Sequence, residues 1–552
     1  MDELVGAILP KMQRIIFVIS FSILALLRNW YLLAATQAFH YPTFRPSAMA
    51  LVHLVLSHFI IAGTAWLLLA AAEHSKRRWA LFLVYGLMWV VILPGLLFLR
   101  SETNISVHYP VISFAFWKNH LGTFASVFLF LGVCASAITL AWKHLERFIF
   151  LQRAAFTLIL PFAIYHLGRV TLLVATTQPL PHSTDLGAQR KDAPRTILVI
   201  FDEFDYSLLQ EARAAGSKFP NFDFLESNGL HATHAYPPAI HTHAAMPSYF
   251  FGRRISQFCR LPNDDMRLRF EGASNDAFWS QEPTLISDVY SMGIQVSLVG
   301  WYHPYCQMMG RHLRYCQTNR SPFFQSAKFA PKRIPLGIQQ ALNPFDLRVP
   351  YHQRRYELVL EQAESALKQA DTSVVFLHLP VPHLPGIYSD EEQRLVTDYG
   401  DTIEEQKKAY RANLVLADST LGHLMQIEQE TGRGRPVTWM VSGDHSMHAW
   451  RWNPAGYPEE KVDRRIPFYV YMSEDPRPMV FDHPFNTVIL KDLTLQLLAG
   501  KKDLLFVRSF LRKNLPPKNQ LAPTQPEDLC PTKAFASDKS SDLRPPASHT
   551  HQ

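Results

Sequence analysis

Five apolar runs, at 14–36, 49–72, 79–99, 121–143 and 154–176, constrain this chain more than any other feature. A bilayer core of about 30 Å needs roughly 20 apolar residues of helix, and each run is long enough. The first is the least clean, because Arg28 and Asn29 interrupt it; Arg28 either snorkels or faces the bundle. It is too long for a signal peptide, and no small-residue cleavage site follows it. Lys76, Arg77 and Arg78 join the second and third runs, and Lys143, Arg147 and Arg153 join the fourth and fifth. Basic connections stay cytoplasmic, so five spans would leave the rest of the chain outside. The expectation is a multi-pass protein of the plasma (inner) membrane, with a membrane domain at 1–176 and the remainder on the periplasmic or extracellular side.

The formal charge is +7. The basic residues are scattered, several flank the spans, and no nucleic-acid motif accompanies them, so nucleic acid is excluded as a partner in favour of an anionic membrane surface. Five cysteines are too few for a disulfide framework. Cys134 sits in an apolar run, Cys306 and Cys316 are close enough in sequence to pair, and Cys259 with Cys530 is a possible second pair. No CxxC is present, which argues against a thiolate zinc site.

Residues 177–194 are polar and proline-bearing and read as a linker. After them, short β-branched runs at 196–201, 294–299, 373–379, 437–441 and 468–471 alternate with helical patterns such as 356–368 and 403–430. Strands separated by helices imply an α/β domain, a mostly parallel central sheet covered by helices on both faces. Its expected limits are 195–512, with 513–552 a disordered tail rich in Pro, Ser, Lys and Asp. Such sheets place ligands at the carboxyl ends of strands. Asp202 and Glu203 follow one strand, and Asp444 and His445 follow another.

Carboxylates with an imidazole are the donors a divalent cation needs. Asp202, Glu203, Asp444 and His445 supply that set, and Thr242, in AIHTHAAMPSYFFG, is a hydroxyl that a cation could activate. His303, His383, His448 and His243 are imidazoles able to bind phosphoryl oxygens, complete a second metal site or move protons. Each also has a plain reading: Asp-Glu after a strand is often a helix cap, and Thr242 can cap its own helix.

Taken in order, these segments resemble the alkaline phosphatase/sulfatase superfamily over about 195–500. ILVIFDEFD is similar to the family's opening strand with its acidic metal ligands. PNFDFLESNGLHATHAYPPAIHTHAAMPSYFFGRR is similar to the stretch leading to the nucleophile, which places Thr242 at that position and Gly252 and Arg253 at the following turn. ISDVYSMGIQVSLVGWYHPY resembles the segment ending in GKWH, so His303 takes that histidine's place. HLPVPHLP resembles the substrate loop and puts His383 at the site, and SGDHSMH carries the Asp-His pair.

The departures narrow the resemblance. Sulfatases use a cysteine within CxPSR; Thr242 stands there, the arginine is missing, and Trp301 replaces the lysine of GKWH. A threonine nucleophile with five spans and an external catalytic domain looks like the lipid A phosphoethanolamine transferases and lipoteichoic acid synthases. The resemblance implies a transferase moving a phosphoryl-linked head group from a membrane phospholipid donor to an envelope lipid or glycan acceptor, through a phospho-threonine at Thr242. It implies a divalent metal ion, zinc or manganese, held by Asp202, Glu203, Thr242, Asp444 and His445. His383 and His448 are then the proton-moving residues, and His303 and Arg253 the substrate-binding ones. The first ligand is a glutamate in those transferases, aligning with Glu203, and an aspartate in the phosphodiesterase branch, aligning with Asp202; both stay open. Two alternatives use the same segments: a hydrolase with water as acceptor, and a non-catalytic membrane scaffold.

Overall fold

The computed structural model describes residues 2–34, 48–102, 121–158, isolated positions between 160 and 175, 194–261, 265–319, 333–342, 348–396, 403–448 except 433, and 462–529 except 502. Among the described residues three helices are long and apolar enough to cross a membrane: Leu51–His74, Arg78–Leu96 and Phe124–Lys143. The first expected span, 14–36, is instead divided. Helix Asp2–Ala25 ends before Leu26, and a separate helix, Leu27–Ala34, carries Arg28 and Asn29. Its apolar part, Met12–Ala25, is shorter than a bilayer core requires. The expected span at 154–176 opens inside helix Leu145–Thr157 and is described beyond residue 158 only at isolated positions, and the linker at 177–194 lies outside the described residues except for residue 194.

The two basic connections share one end of the bundle. Arg78 Nη2 donates to the carbonyls of Trp142 and Lys143 at 2.8 and 3.2 Å. Nearby, Glu73 pairs with Arg14 and, at 3.1 Å, with Arg153. Clustered charge at a single end is the arrangement that keeps ionised groups out of the hydrocarbon.

The second part is built on a nine-stranded sheet. Strand Arg195–Asp202 is central and buried at every position. It pairs in parallel with Val437–Gly443 on one side and Val374–Pro382 on the other. Val296–Trp301 and Tyr315–Asn319 extend the parallel order beyond Val374–Pro382. On the far side Ile466–Met472 runs antiparallel, followed by Leu230–Tyr236. Continuous β-branched and aromatic runs such as TILVIF suit strands covered on both faces. One face packs under helices Thr242–Phe251, Leu285–Ser291, Leu490–Leu498 and Leu504–Lys513. The other packs under Tyr206–Ala214, Pro220–Asn228, Arg348–Leu367 and Ile403–Thr431.

The chain beyond 513 is ordered as far as residue 529, contrary to the expectation of a tail. Strand Glu527–Asp528 joins Ile255–Arg260 in a four-stranded sheet. Arg254 donates to the carbonyls of Gln520 and Ala522, and Thr524 Oγ1 donates to Ile255 O at 2.8 Å. Composition pooled over the tail hid this, because backbone pairing to a partner strand needs few apolar residues. Cys306 and Cys316 form a disulfide. Cys259 is also disulfide-bonded, and Cys530, the partner expected from sequence, lies outside the described residues.

The amino end of the central strand is held by a buried ion pair. Arg195 Nη2 lies 2.9 Å from Glu428 Oε2, with side chains 1% and 4% exposed. The guanidinium also donates to the carbonyls of Leu367 and Thr372, which ties two helices and the loop before strand Val374–Pro382 to the central strand. Arg195→Ala would leave Glu428 buried without its charge partner and is expected to cost about 3–5 kcal/mol. Replacing both, as Arg195→Met with Glu428→Leu, should cost far less. Denaturant melts of the full chain and its two variants measure the difference.

Candidate active site

The carboxyl ends of three adjacent parallel strands meet at one edge of the sheet. Arg195–Asp202 delivers Asp202 and Glu203, Val374–Pro382 delivers His378 and His383, and Val437–Gly443 delivers Asp444, His445 and His448. Successive strand residues point to opposite faces. Asp202 continues the face of Leu198 and Ile200, which is covered by helix Thr242–Phe251. Glu203 follows on the other side, where helix Ile403–Thr431 packs. Neighbouring acids therefore serve two separate groups of side chains.

Glu203 has a positive φ of 58°, which a non-glycine residue adopts only when its surroundings hold it. Its N–H donates to Asp444 Oδ1 at 2.9 Å, and Tyr410 OH donates to its carbonyl at 2.5 Å. Gly443 allows the close approach of the neighbouring strand end, since a Cβ there would meet Phe204 O at 2.9 Å.

Thr242 is the first residue of its helix, after His241 in extended conformation. Its Oγ1 is 3.1 Å from His445 Nε2 and 3.5 Å from Asp202 Oδ1. His445 Nε2 is in turn 3.5 Å from Asp444 Oδ2 and 3.7 Å from Asp202 Oδ1. The first N–H groups of any helix lack intrahelical partners and favour negative charge beside them. The second group centres on Glu203 Oε1, with His448 Nε2 at 3.6 Å and His383 Nε2 at 3.8 Å. Donor atoms of Glu203, His445 and His448 lie within 4.8 Å of one another, as do those of Asp202, His378 and Asp444.

These residues fit a divalent cation. Asp202, Glu203 and Asp444 are fully buried, and buried carboxylates need compensating charge. His445 Nδ1 donates to Ser446 O at 2.8 Å and His378 Nδ1 lies 3.1 Å from Trp301 O. A ring that gives its Nδ1 proton to a carbonyl turns a bare Nε2 lone pair toward the acids, an arrangement a metal ion satisfies. His378 Nε2 and Asp444 Oδ2 are buried without a hydrogen-bond partner among the described residues. Burial pushes the Asp444 carboxyl up to about 7, against the pull of hydrogen bonds from Thr242 and the N–H groups of Glu203 and His445. Burial likewise pushes His378 down to about 3, so its ring is neutral.

Not every residue expected here arrives in the expected role. His303 is buried behind Thr242, and its Nε2 donates to the Thr242 carbonyl at 3.0 Å. Burial, more than the nearby Arg260, holds it well below the usual histidine range. It braces the start of the helix with a neutral ring. Arg253 is not brought to the site. It follows Gly252, whose φ of 64° ends the helix, and its guanidinium lies 3.8 Å from the centre of the buried Phe270 ring. Ten helical residues, about 15 Å, separate it from Thr242.

Three residues were missed. His378 projects to the face of Asp202 because it pairs with Ile200 across the strands, a register that sequence spacing does not contain. His241 holds its ring 4.8 Å from that of His448, tilted by 45°. Arg260 Nη2 donates to Tyr302 OH at 3.2 Å, and Tyr302 OH is 2.6 Å from a ring nitrogen of His243. His243 is packed 4.9 Å over Phe258, and burial keeps it neutral.

No family model and no curated protein matches this chain. Among solved structures, it is similar to an alkaline phosphatase superfamily protein from Vibrio parahaemolyticus, at TM-score 0.36 and 12% identity, covering 59% of this chain and 74% of that one. It is similar to a phosphonate monoester hydrolase of Agrobacterium radiobacter, at TM-score 0.37 and 12% identity, covering 59% and 78%. A sulfatase from Pseudoalteromonas gives TM-score 0.37 and 14% identity, covering 56% and 68%. Likeness at this level decides nothing about the chemistry, which rests on the side chains described above.

A carboxyl raised to about 7 keeps a proton that the unfolded chain releases at the usual carboxylate value. Without metal, folding stability should therefore fall as pH rises through that window. Cation binding must displace this proton, so zinc affinity is expected to drop about tenfold per pH unit below 7 and level off above it. Calorimetric titration of zinc into the metal-stripped full chain at pH 6, 7 and 8 measures both the affinity and the proton released.

Proposed function

We propose that the chain is a membrane-anchored, metal-dependent phosphotransferase of the alkaline phosphatase/sulfatase type, acting through a phospho-threonine at Thr242. The observation that carries this reading is the hydroxyl of Thr242 at a helix N-terminus, 3.1 Å from His445 Nε2 and 3.5 Å from Asp202 Oδ1. Asp202, His378 and Asp444 would hold one divalent ion beside Thr242, and Glu203, His445 and His448 offer donors for a second. Zinc or manganese there would lower the pKa of the threonine hydroxyl and neutralise charge on the phosphoryl oxygens.

In the first half-reaction, Thr242 Oγ1 bonds to the phosphorus of a phosphodiester while its proton passes to Asp202 Oδ1. The bond from phosphorus to the lipid alcohol breaks, and a protonated imidazole, His383 or His448 beside Glu203, gives that alcohol its proton. In the second, an acceptor hydroxyl loses its proton to the same imidazole and bonds to phosphorus, and Thr242 Oγ1 leaves with the proton returned from Asp202. The two imidazoles suit this work because their side chains are 25% and 12% exposed, at the mouth of an otherwise buried site.

The donor is read as a membrane phospholipid carrying a head group such as phosphoethanolamine or phosphoglycerol, and the acceptor as an envelope lipid or glycan. Apolar helices long enough to span a membrane support a lipid-surface reaction. The Cys306–Cys316 disulfide supports an oxidising compartment, hence a catalytic domain on the periplasmic or extracellular side of the plasma (inner) membrane. Water as acceptor, giving a phosphodiesterase, uses the same first half-reaction.

Intact mass of the full chain after exposure to head-group-labelled phospholipid should show an adduct that fragments to Thr242 and is absent in Thr242→Ala. Turnover in that variant is expected to fall at least a thousandfold, on the order seen when a covalent nucleophile is removed. Label recovered on lipid or glycan marks a transferase, and label free in solution a hydrolase. Undiminished turnover in Thr242→Ala would sink the mechanism.

A further inference from the structure

Helix Tyr206–Ala214 opens directly after the acids, and its cap is Asp205. Asparagine, aspartate and serine cap helices about equally well, because capping uses a single side-chain oxygen. In Asp205 that oxygen is Oδ1, which accepts from Leu208 N at 3.0 Å and from Ser207 Oγ at 2.7 Å. The other oxygen, Oδ2, accepts the N–H of Met447, 242 residues further along the chain, at 3.2 Å. Of the residues that cap well, aspartate alone brings two acceptor oxygens.

Met447 lies between His445 and His448, past the end of strand Val437–Gly443. The backbone from Asp444 to His448 belongs to neither strand nor helix, so single contacts direct its course. His445 N–H donates to Asp444 Oδ1 at 2.7 Å, and the Met447 side chain is buried in the core that helix Ile403–Thr431 covers. The Asp205 carboxylate then fixes the peptide just before His448. Its own backbone belongs to the turn that carries Glu203. Asp205 N–H donates to Tyr410 OH at 3.2 Å, and Tyr410 OH donates to the Glu203 carbonyl. Asp205 thus ties the segment bearing His448 to the turn bearing Glu203, whose Oε1 lies 3.6 Å from His448 Nε2. The residue is 4% exposed, so water is a poor replacement for a lost acceptor there.

We propose that Asp205 is a positioning residue for the donor group Glu203, His445 and His448, its Oδ2 holding the Met447 backbone so that His448 faces Glu203. The carboxylate meets neither substrate nor ion; it acts through one peptide N–H set between two imidazoles. Without Oδ2 that N–H is buried and unpaired, and the segment relaxes toward another acceptor, carrying His448 away from Glu203. Contacts that orient ligands from behind are worth about 10–100-fold in metal affinity. This inference rests on the reading that these three residues hold a second ion. Its failure is separable from the failure of that reading, because the hold on Met447 is measured with no metal bound.

The test uses the full chain in detergent, as wild type, Asp205→Asn and Ser207→Ala. Asparagine keeps an oxygen for Ser207 and Leu208 and turns an NH2 group toward Met447. Ser207→Ala removes a partner of Oδ1 and leaves Oδ2 as it was. Hydrogen–deuterium exchange of the metal-stripped chain, read at the Met447 amide by fragmentation mass spectrometry, should be about tenfold faster in Asp205→Asn and unchanged in Ser207→Ala. Zinc titration calorimetry should give two uptake steps in wild type. The step abolished by His448→Ala should weaken about tenfold in Asp205→Asn and hold in Ser207→Ala. Asp205→Ser, which caps through one hydroxyl, should reproduce Asp205→Asn and serves if that variant does not fold. Exchange and zinc uptake like wild type in Asp205→Asn overturn the proposal and leave Asp205 a helix cap. Equal losses in Asp205→Asn and Ser207→Ala overturn it too, since the cap and not Oδ2 is then responsible. Faster exchange with zinc uptake unchanged overturns the positioning of His448. Faster exchange in a chain whose wild type takes up no second ion upholds the hold on Met447 and fails the second-ion reading.

Discussion

Asp202, Glu203 and Asp444 are buried together at one sheet edge, and that concentration of negative charge sets the terms for everything around it. Three carboxylates out of water repel one another and lose their hydration, so the fold must supply protons, hydrogen bonds or cations. It supplies all the groups that a cation would join. The N–H groups of Glu203 and His445 both point at Asp444 Oδ1, at 2.9 and 2.7 Å. His445 gives its Nδ1 proton to the Ser446 carbonyl, His378 Nδ1 lies between Tyr305 OH and Trp301 O, and both rings face the acids with Nε2. Even the strained Glu203 backbone is held from both sides by Asp444 and Tyr410.

Such a site needs strand ends that do not move. The central strand is fixed at its amino end by the Arg195–Glu428 pair and along its length by parallel ladders on both sides. Breaking the pair would therefore act on the site at a distance, through the register of the strand that carries Asp202. The helix bearing Thr242 is positioned independently, by apolar residues such as Ala244, Ala245 and Phe250 packed on the sheet face that Asp202 continues and by His303 at its first carbonyl. Thr242 and the acids thus come from separately anchored elements, which limits how far either can drift.

The membrane helices are joined to the same arrangement. Ala341 is buried in their core, and the Arg28–Tyr351 contact joins the bundle to helix Arg348–Leu367, which covers one sheet face.

Much of this was legible in the residues. Strand ends were marked by TILVIF before Asp202 and WMVSG before Asp444, because a strand buried on both faces has to be apolar throughout and its first polar residues announce the edge. Thr242 was legible from its order between those two ends. Spacing could not show that Asp202 lies by Thr242 while Glu203 lies by His383 and His448, since that follows from how the strand's alternation meets its neighbours. His378 was hidden for the same reason, and Arg253 was misplaced because a helix of ten residues carries its far end away from the site. The sequence by itself determined the classes of element and the chemistry available, through local apolar pattern and residue type. Only the tertiary structure decided which of those groups share a face, because register, alternation and the docking of the bundle are contacts between residues distant in the chain.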